Sequence, residues 1–263
     1  MSLKHQVMRV AEGLTRSRIE RVPGVSVATV RTRVARTITP RKYASHAWFS
    51  HRLQLESIID ELGIDLILDV GANTGQYGAF LREFYDGELH SFEPVSSVHA
   101  QLAQTAAGDA RWKTHQLALG SEDGEQAIHV SDFTVFSSLL PMNDFAAEHF
   151  GDKAVGSREE TISVRRFDGI VDELVPDFAR RKVLLKLDTQ GFDLEAFRGV
   201  GDRISNVVAM QSEVSLQPIY AGMPHWTESV RSYEDAGFGV SGMFPVTRDG
   251  FRVIEYDCLL VRG

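Results

Sequence analysis

One run, Leu66-Ile-Leu-Asp-Val-Gly-Ala-Asn-Thr-Gly-Gln-Tyr-Gly78, limits what this chain can fold into more than any other. Leu66, Ile67, Leu68 and Val70 form an almost unbroken apolar segment that stops at glycine. A strand buried on both faces of a parallel sheet has that composition, whereas a half-exposed strand alternates. Gly71 and Gly75 allow a tight turn and a close approach of ligand to backbone. Tyr77, Phe80, Leu81 and Phe84 then recur at i, i+3, i+4 and i+7, the spacing that turns one helix face towards a sheet. Strand, glycine turn and helix in this order predict an open α/β sheet with a small-molecule site at the carboxyl end of its first strand.

The ligand class follows from what the turn lacks. A dinucleotide loop reads G-x-G-x-x-G, its second glycine admitting the pyrophosphate; Asn73 stands at that position and the spacing is G-x-x-x-G. That disfavours a nicotinamide dehydrogenase. Asp69 precedes the turn, and Glu93 closes the next apolar run, Glu88 to Phe92, where a carboxylate accepts hydrogen bonds from ribose hydroxyls. The combination is similar to the cofactor loop of S-adenosylmethionine-dependent methyltransferases. Asp69 also has a plainer reading, a carboxylate that ties down its own loop.

The 263 residues suffice for a substantial core. A single cysteine rules out an internal disulfide and a cysteine cluster for zinc; Cys258, in an alternating apolar stretch, reads as a buried small hydrophobe. No run is long and apolar enough for a transmembrane segment and none resembles a signal-peptide core, so the expected location is cytoplasmic. Charge is uneven. Residues 1–52 carry 11 Lys/Arg against 2 Asp/Glu, a net of +9, and residues 53–263 carry 17 against 34, a net of −17. The expected organisation is a basic N-terminal arm (1–52) on an acidic domain (53–263). Leu3, Val7, Val10 and Leu14 have helical spacing, and Pro23 and Gly24 interrupt the arm. Three readings of it stay open: packing on its own body or in a homodimer, lying on anionic lipid, or a solvated tail or nucleic-acid contact.

Along the remainder, His46 to Leu62 reads as a helix closed by Gly63, and Val95 to Ala106 as another. Trp112 to Leu119 reads as a third strand, Gln126 to Val130 as a hairpin partner, and Phe136 to Leu140 leads into a Pro-initiated helix through Phe150. Gly151 to Glu160 is polar and suits a mobile loop or lid, while Thr161 to Arg165 alternates like an edge strand. Lys182 to Asp188 repeats the first strand with an acid at its end, and Val207 to Met210 runs out towards Glu213. Parallel strands place such ends on one edge, so Asp188 and Glu213 are expected at one crevice. A helix, Thr227 to Ala236, precedes strands near Phe238 to Phe244 and Val253 to Val261, joined by an Asp249-Gly250 turn.

Lys186-Leu-Asp-Thr-Gln-Gly-Phe-Asp-Leu-Glu-Ala-Phe-Arg-Gly199 resembles the mark of the FkbM family of methyltransferases, a strand ending in Lys-x-Asp, a Gly-x-Glu-like turn, a helix and a closing glycine. Gln190 stands where the family usually has Glu, and Asp193 where Glu is common. Phe92-Glu-Pro94, Ala118-Leu-Gly120, Ser137-Ser138 and the run from Glu213 to Tyr220 fit the same pattern, so the resemblance covers about Leu53 to Gly263. It implies a Rossmann-like, seven-stranded methyltransferase sheet, parallel except for a late antiparallel strand, with helices on both faces. It also implies S-adenosylmethionine as cofactor and a hydroxyl acceptor on a sugar, glycolipid or polyketide-type metabolite.

Asp69, Gly71, Asn73 and Gly75 are then expected around the methionine part of the cofactor, Glu93 on the ribose, and Leu117 or Ala118 beside the adenine; Ser97 and Gln116 are lesser candidates, and Leu117 and Ala118 read equally well as core. Phe136, Ser137 and Ser138 are expected near cofactor or acceptor. Asp188 is the first choice for the base, or for the group that orients the hydroxyl, with Glu213 second and His225 or His149 as other proton acceptors. Asp188 and Glu213 offer hard oxygen ligands for Mg²⁺; the alternative is that one caps a helix or pairs with Lys186. Tyr220, His225 and Trp226 join flat apolar faces to polar tips, which suits a sugar ring. The expected acceptor is a small molecule or oligosaccharide in polysaccharide or glycolipid biosynthesis. The Asn/Asp-Pro-Pro-aromatic motif of base-nitrogen methylation is missing, which argues against a nucleic-acid substrate. A non-catalytic binding module is the remaining rival.

Overall fold

The computed structural model describes residues 43–131, 138–141, 143–146 and 156–263. The basic arm up to residue 42, Phe136, Ser137, His149 with the rest of residues 147–150 at the end of the expected Pro-initiated helix, and residues 151–155 of the expected lid lie outside the described residues. The chain divides into two units, Met1–Ser50 and His51–Gly263, and the sheets belong to the second. In chain order the elements are α1 (Tyr43–Leu62), β1 (Leu66–Val70), α2 (Gln76–Leu81), β2 (Glu88–Phe92), α3 (Ser96–Ala106), β3 (Trp112–His115), β4 (Ala118–Leu119), β5 (Gly124–Ser131) and β6 (Gly156–Arg165). They continue with α4 (Phe167–Leu174), β7 (Val183–Leu187), α5 (Asp193–Arg198), β8 (Val207–Ser215), α6 (Trp226–Asp235), β9 (Phe238–Asp249) and β10 (Arg252–Arg262).

The apolar run from Leu66 becomes the middle of a seven-stranded sheet ordered β3-β2-β1-β7-β8-β10-β9. Pairings from β3 through β8 are parallel, and β10 runs antiparallel to both its neighbours. This is the expected sheet with its single late reversal. Every residue of β1 and β7 is buried, because helices cover both faces. Leu66, Leu68 and Val70 pack with Phe167 and Val171 of α4, Leu194 of α5 and Tyr233 of α6. Ile67 turns the other way, to Leu55 and Ile59 of α1, Leu81 of α2 and Leu102 of α3. Cys258 is fully buried, and burial pushes its thiol up to about 12, so it behaves as a hydrophobe.

Four sequence expectations change. The predicted strand Trp112 to Leu119 is two strands: β3 stays on the main sheet, and β4 joins a second sheet ordered β4-β6-β5. Thr161 to Arg165 belongs to the central strand of that second sheet, with Ile162 and Val164 buried between exposed Thr161 and Ser163. The described part of the expected lid, residues 156–160, pairs with β5 as the first half of β6. Finally, β8 does not stop at Met210. Antiparallel pairing with β10 carries it through Gln211, Ser212 and Glu213 to Ser215, so Glu213 lies within the strand opposite Asp257 instead of at a strand end.

Candidate active site

The site starts where β1 and β7 end side by side. Gly71 has φ +78, and its N–H donates to the Phe92 carbonyl at 3.0 Å. A Cβ there would lie 1.9 Å from the Asp188 carbonyl oxygen, so only glycine lets the two loops meet. The Asp188 N–H in turn donates to the Val70 carbonyl at 3.1 Å. Asn73 follows with φ 48, its side-chain oxygen accepting the Thr74 N–H at 2.8 Å. Gly75, φ +90, faces Leu102 and Thr105 and fixes the entry into α2.

Parallel register sets Asp69 beside Lys186. The two side chains are 0% and 4% exposed and pair at 2.9 Å, while Lys186 also donates to the Gly71 carbonyl at 3.2 Å and lies 3.4 Å from Asp188 Oδ2. Burial alone would lower the lysine, but Asp69 and then Asp188 outweigh it and raise it, so the ammonium stays charged. Ser91 Oγ donates to the other Asp69 oxygen at 3.0 Å. Asp69 is therefore a buried counter-ion that ties β1 to β7.

Glu93, just beyond β2, is buried and accepts the N–H groups of Val95 at 2.9 Å and Asn73 at 3.1 Å. Burial outweighs those bonds and pushes its carboxyl up to about 7. Asp188 is 39% exposed at the end of β7, one oxygen near Lys186 and the other accepting from Gln190 Nε2 at 3.0 Å. Burial, then Glu255 and Asp188, raise the Glu213 carboxyl above its ordinary value, and its Oε2 accepts from Gln190 Nε2 at 3.3 Å.

Several of these groups border a crevice of about 320 Å³. Gly71, Asn73, Glu93, Ala118 and Asp188 line it, together with Lys186, Thr189 and Gln190. Val98, Leu119, Ile128, Leu139 and Phe192 give it apolar walls. Asp69, Gly75, Leu117, Glu213, Tyr220, His225 and Trp226 are not among the lining residues. Leu117 and Trp226 pack on the main core, and Tyr220 is buried with its hydroxyl donating to Gln190 Oε1 at 2.9 Å. His225 is exposed at the start of α6, its ring nitrogen 2.8 Å from Thr227 Oγ1. Ser97 and Gln116 are exposed. Among the described residues no three His, Cys, Asp or Glu side chains converge on a metal position, and Asp188 and Glu213 share the Gln190 amide. These residues give the expected Mg²⁺ no support.

The residues do fit S-adenosylmethionine. A buried carboxylate held by two backbone N–H groups is placed for ribose hydroxyls, and apolar walls suit an adenine. If a ribose donates to the ionised acid, affinity for S-adenosylhomocysteine should fall below pH 7, approaching tenfold per pH unit. Calorimetry at pH 6 in buffers of different ionisation enthalpy should show a proton released on binding, and Glu93→Gln should remove that release.

Sheet order and crevice together define a Rossmann-like methyltransferase fold. The chain belongs to the methyltransferase FkbM domain family, whose model matches residues 69–238, and it is an S-adenosylmethionine-dependent methyltransferase by class. It is 24% identical over 188 residues to "Methyltransferase 1" of Beauveria bassiana, covering 60% of this chain and 73% of that protein. Among solved structures it is similar to magnesium protoporphyrin IX methyltransferase of Synechocystis, with bound S-adenosylmethionine (TM-score 0.46, 11% identity, 94% of this chain and 88% of that one). Fibrillarin of Aeropyrum pernix is another (TM-score 0.43, 11% identity, 75% and 66%). Among the described residues no helix is long and apolar enough to cross a membrane.

Proposed function

We propose that the protein methylates a hydroxyl of a sugar or glycoside, in the synthesis of a polysaccharide or glycolipid. The observation that carries this reading is Asp188, a part-exposed carboxylate in the crevice wall whose two oxygens are held by Lys186 and Gln190. When bound, S-adenosylmethionine supplies a methyl group on a positively charged sulfur. The β1 and β2 loops hold that donor, with Glu93 on its ribose. Asp188 accepts the acceptor's hydroxyl hydrogen and fixes its oxygen in line. A carboxylate is too weak a base to ionise an alcohol beforehand. As the new C–O bond forms and the methyl–sulfur bond breaks, its electron pair going to sulfur, the hydroxyl proton would become acidic and pass to Asp188.

The polar side of the crevice, formed by Asn73, Asp188, Thr189 and Gln190, supports an acceptor with several hydroxyls. Asp188→Asn should lower kcat by about 10²- to 10⁴-fold and leave S-adenosylhomocysteine affinity nearly unchanged. Incubating methyl-labelled cofactor with mannosides, rhamnosides and polyketide alcohols tests the acceptor class. Label confined to the non-sugar alcohols would overturn the sugar reading in favour of a polyketide-type metabolite.

A further inference from the structure

Gln190 takes no part in the proposed chemistry except as a neighbour of Asp188, yet its carbonyl and both side-chain polar atoms are bound. Its backbone has φ 54, a left-handed conformation disfavoured for a residue with a Cβ. Its carbonyl accepts from Ser138 Oγ at 2.7 Å. The side-chain nitrogen donates to Asp188 Oδ1 at 3.0 Å and to Glu213 Oε2 at 3.3 Å, and the side-chain oxygen accepts from the Tyr220 hydroxyl at 2.9 Å. An amide nitrogen carries two hydrogens, enough for both acids, and the tyrosine donor decides which way round the amide sits. A carboxylate in its place would have nothing to donate to either.

From this geometry we propose that Gln190 is a positioning residue: its amide, anchored by Tyr220, holds the Asp188 carboxylate at the orientation that meets the acceptor hydroxyl and links it to Glu213. The inference rests on the reading of Asp188 as the group that receives that hydroxyl. Local charge makes an uncharged link useful. Asp188 sits in an electrostatic neighbourhood with Asp193, Glu213, Glu255 and Asp257, against Lys186, and with the Tyr77 and Tyr220 hydroxyls nearby. A further carboxylate would add repulsion where the amide adds two hydrogen bonds.

The test compares wild type, Asp188→Asn, Gln190→Glu, Tyr220→Phe and the double variant Asp188→Asn/Gln190→Glu, in kcat, KM, pH–rate profile and S-adenosylhomocysteine affinity. Gln190→Glu should lower kcat about 100-fold while cofactor affinity stays within about twofold, the pattern of a displaced reacting group and not of a lost binding site. The acidic limb of its pH–rate profile should move up by about one unit, because an added carboxylate disfavours ionisation next to it. Tyr220→Phe, which removes only the hydroxyl that orients the amide, should lower kcat about tenfold. In the Asp188→Asn background Gln190→Glu should cost little more, since the group it positions is already gone. If Asp188→Asn abolishes turnover while Gln190→Glu and Tyr220→Phe both keep kcat within about twofold of wild type, the positioning role is wrong. Should Gln190→Glu fail to fold, Tyr220→Phe decides by the same criterion. Turnover retained by Asp188→Asn itself would instead remove the underlying reading, and the inference with it.

Discussion

Lys186→Met should destabilise the protein by about 3–5 kcal/mol, read from urea unfolding followed by circular dichroism. Asp69 has no exposure and, among the described residues, would be left with Ser91 Oγ as its side-chain donor. Removing one partner of a buried pair costs far more than the pair contributes, because the remaining ion stays desolvated. The double variant Asp69→Leu/Lys186→Met should recover most of the loss, since two apolar side chains can replace the pair between buried strands. Activity should not return with stability. Lys186 also binds the Gly71 carbonyl and lies 3.4 Å from Asp188, and methionine supplies neither contact.

Gly71→Ala should depress kcat by about 100-fold or more and weaken S-adenosylhomocysteine binding as well. The new methyl would meet the Asp188 carbonyl at 1.9 Å, so the loop after β1 or the loop after β7 must move, and each carries part of the site. Strain from the positive φ would add about 1–2 kcal/mol. Gly222→Ala separates the two effects. Gly222 has the same φ of +78 and nothing within 4 Å of its would-be Cβ, so that variant should show the strain in its melting point and retain turnover.

The same two positions show how far sequence reasoning reaches. Gly71 was legible because a glycine that ends an apolar strand marks a turn too tight for a side chain. Lys186 was visible only as part of a Lys-x-Asp motif, although a cation inside the buried strand Val183–Leu187 and an anion inside Leu66–Val70 are both anomalous. Pairing them requires knowing that β1 and β7, more than a hundred residues apart, are neighbours in register. Glu213 was misplaced for a related reason. The apolar run ends at Met210, yet β10 continues the strand by hydrogen bonds that do not depend on side-chain polarity. The expected aromatic acceptor wall fails in the same way: Tyr220 packs with Ala146, Ile219 and Ile254, and Trp226 with the main core. Ile128 and Leu139, which do line the crevice, come from the second sheet and its adjoining loop, and their sequence carried no signal beyond hydrophobicity.

By itself the sequence determined the strand–turn–helix that starts the fold, the succession of the parallel strands, and the acids at the ends of β2 and β7, because apolar periodicity and glycine turns act over a few residues. Only the tertiary structure decided which charges are buried together, where each strand stops, and which side chains face the crevice. Those outcomes depend on register, desolvation and packing between segments far apart in the chain. They turn Asp69 into a counter-ion, place Glu213 inside a strand, and make Gln190 the link between Asp188 and Glu213.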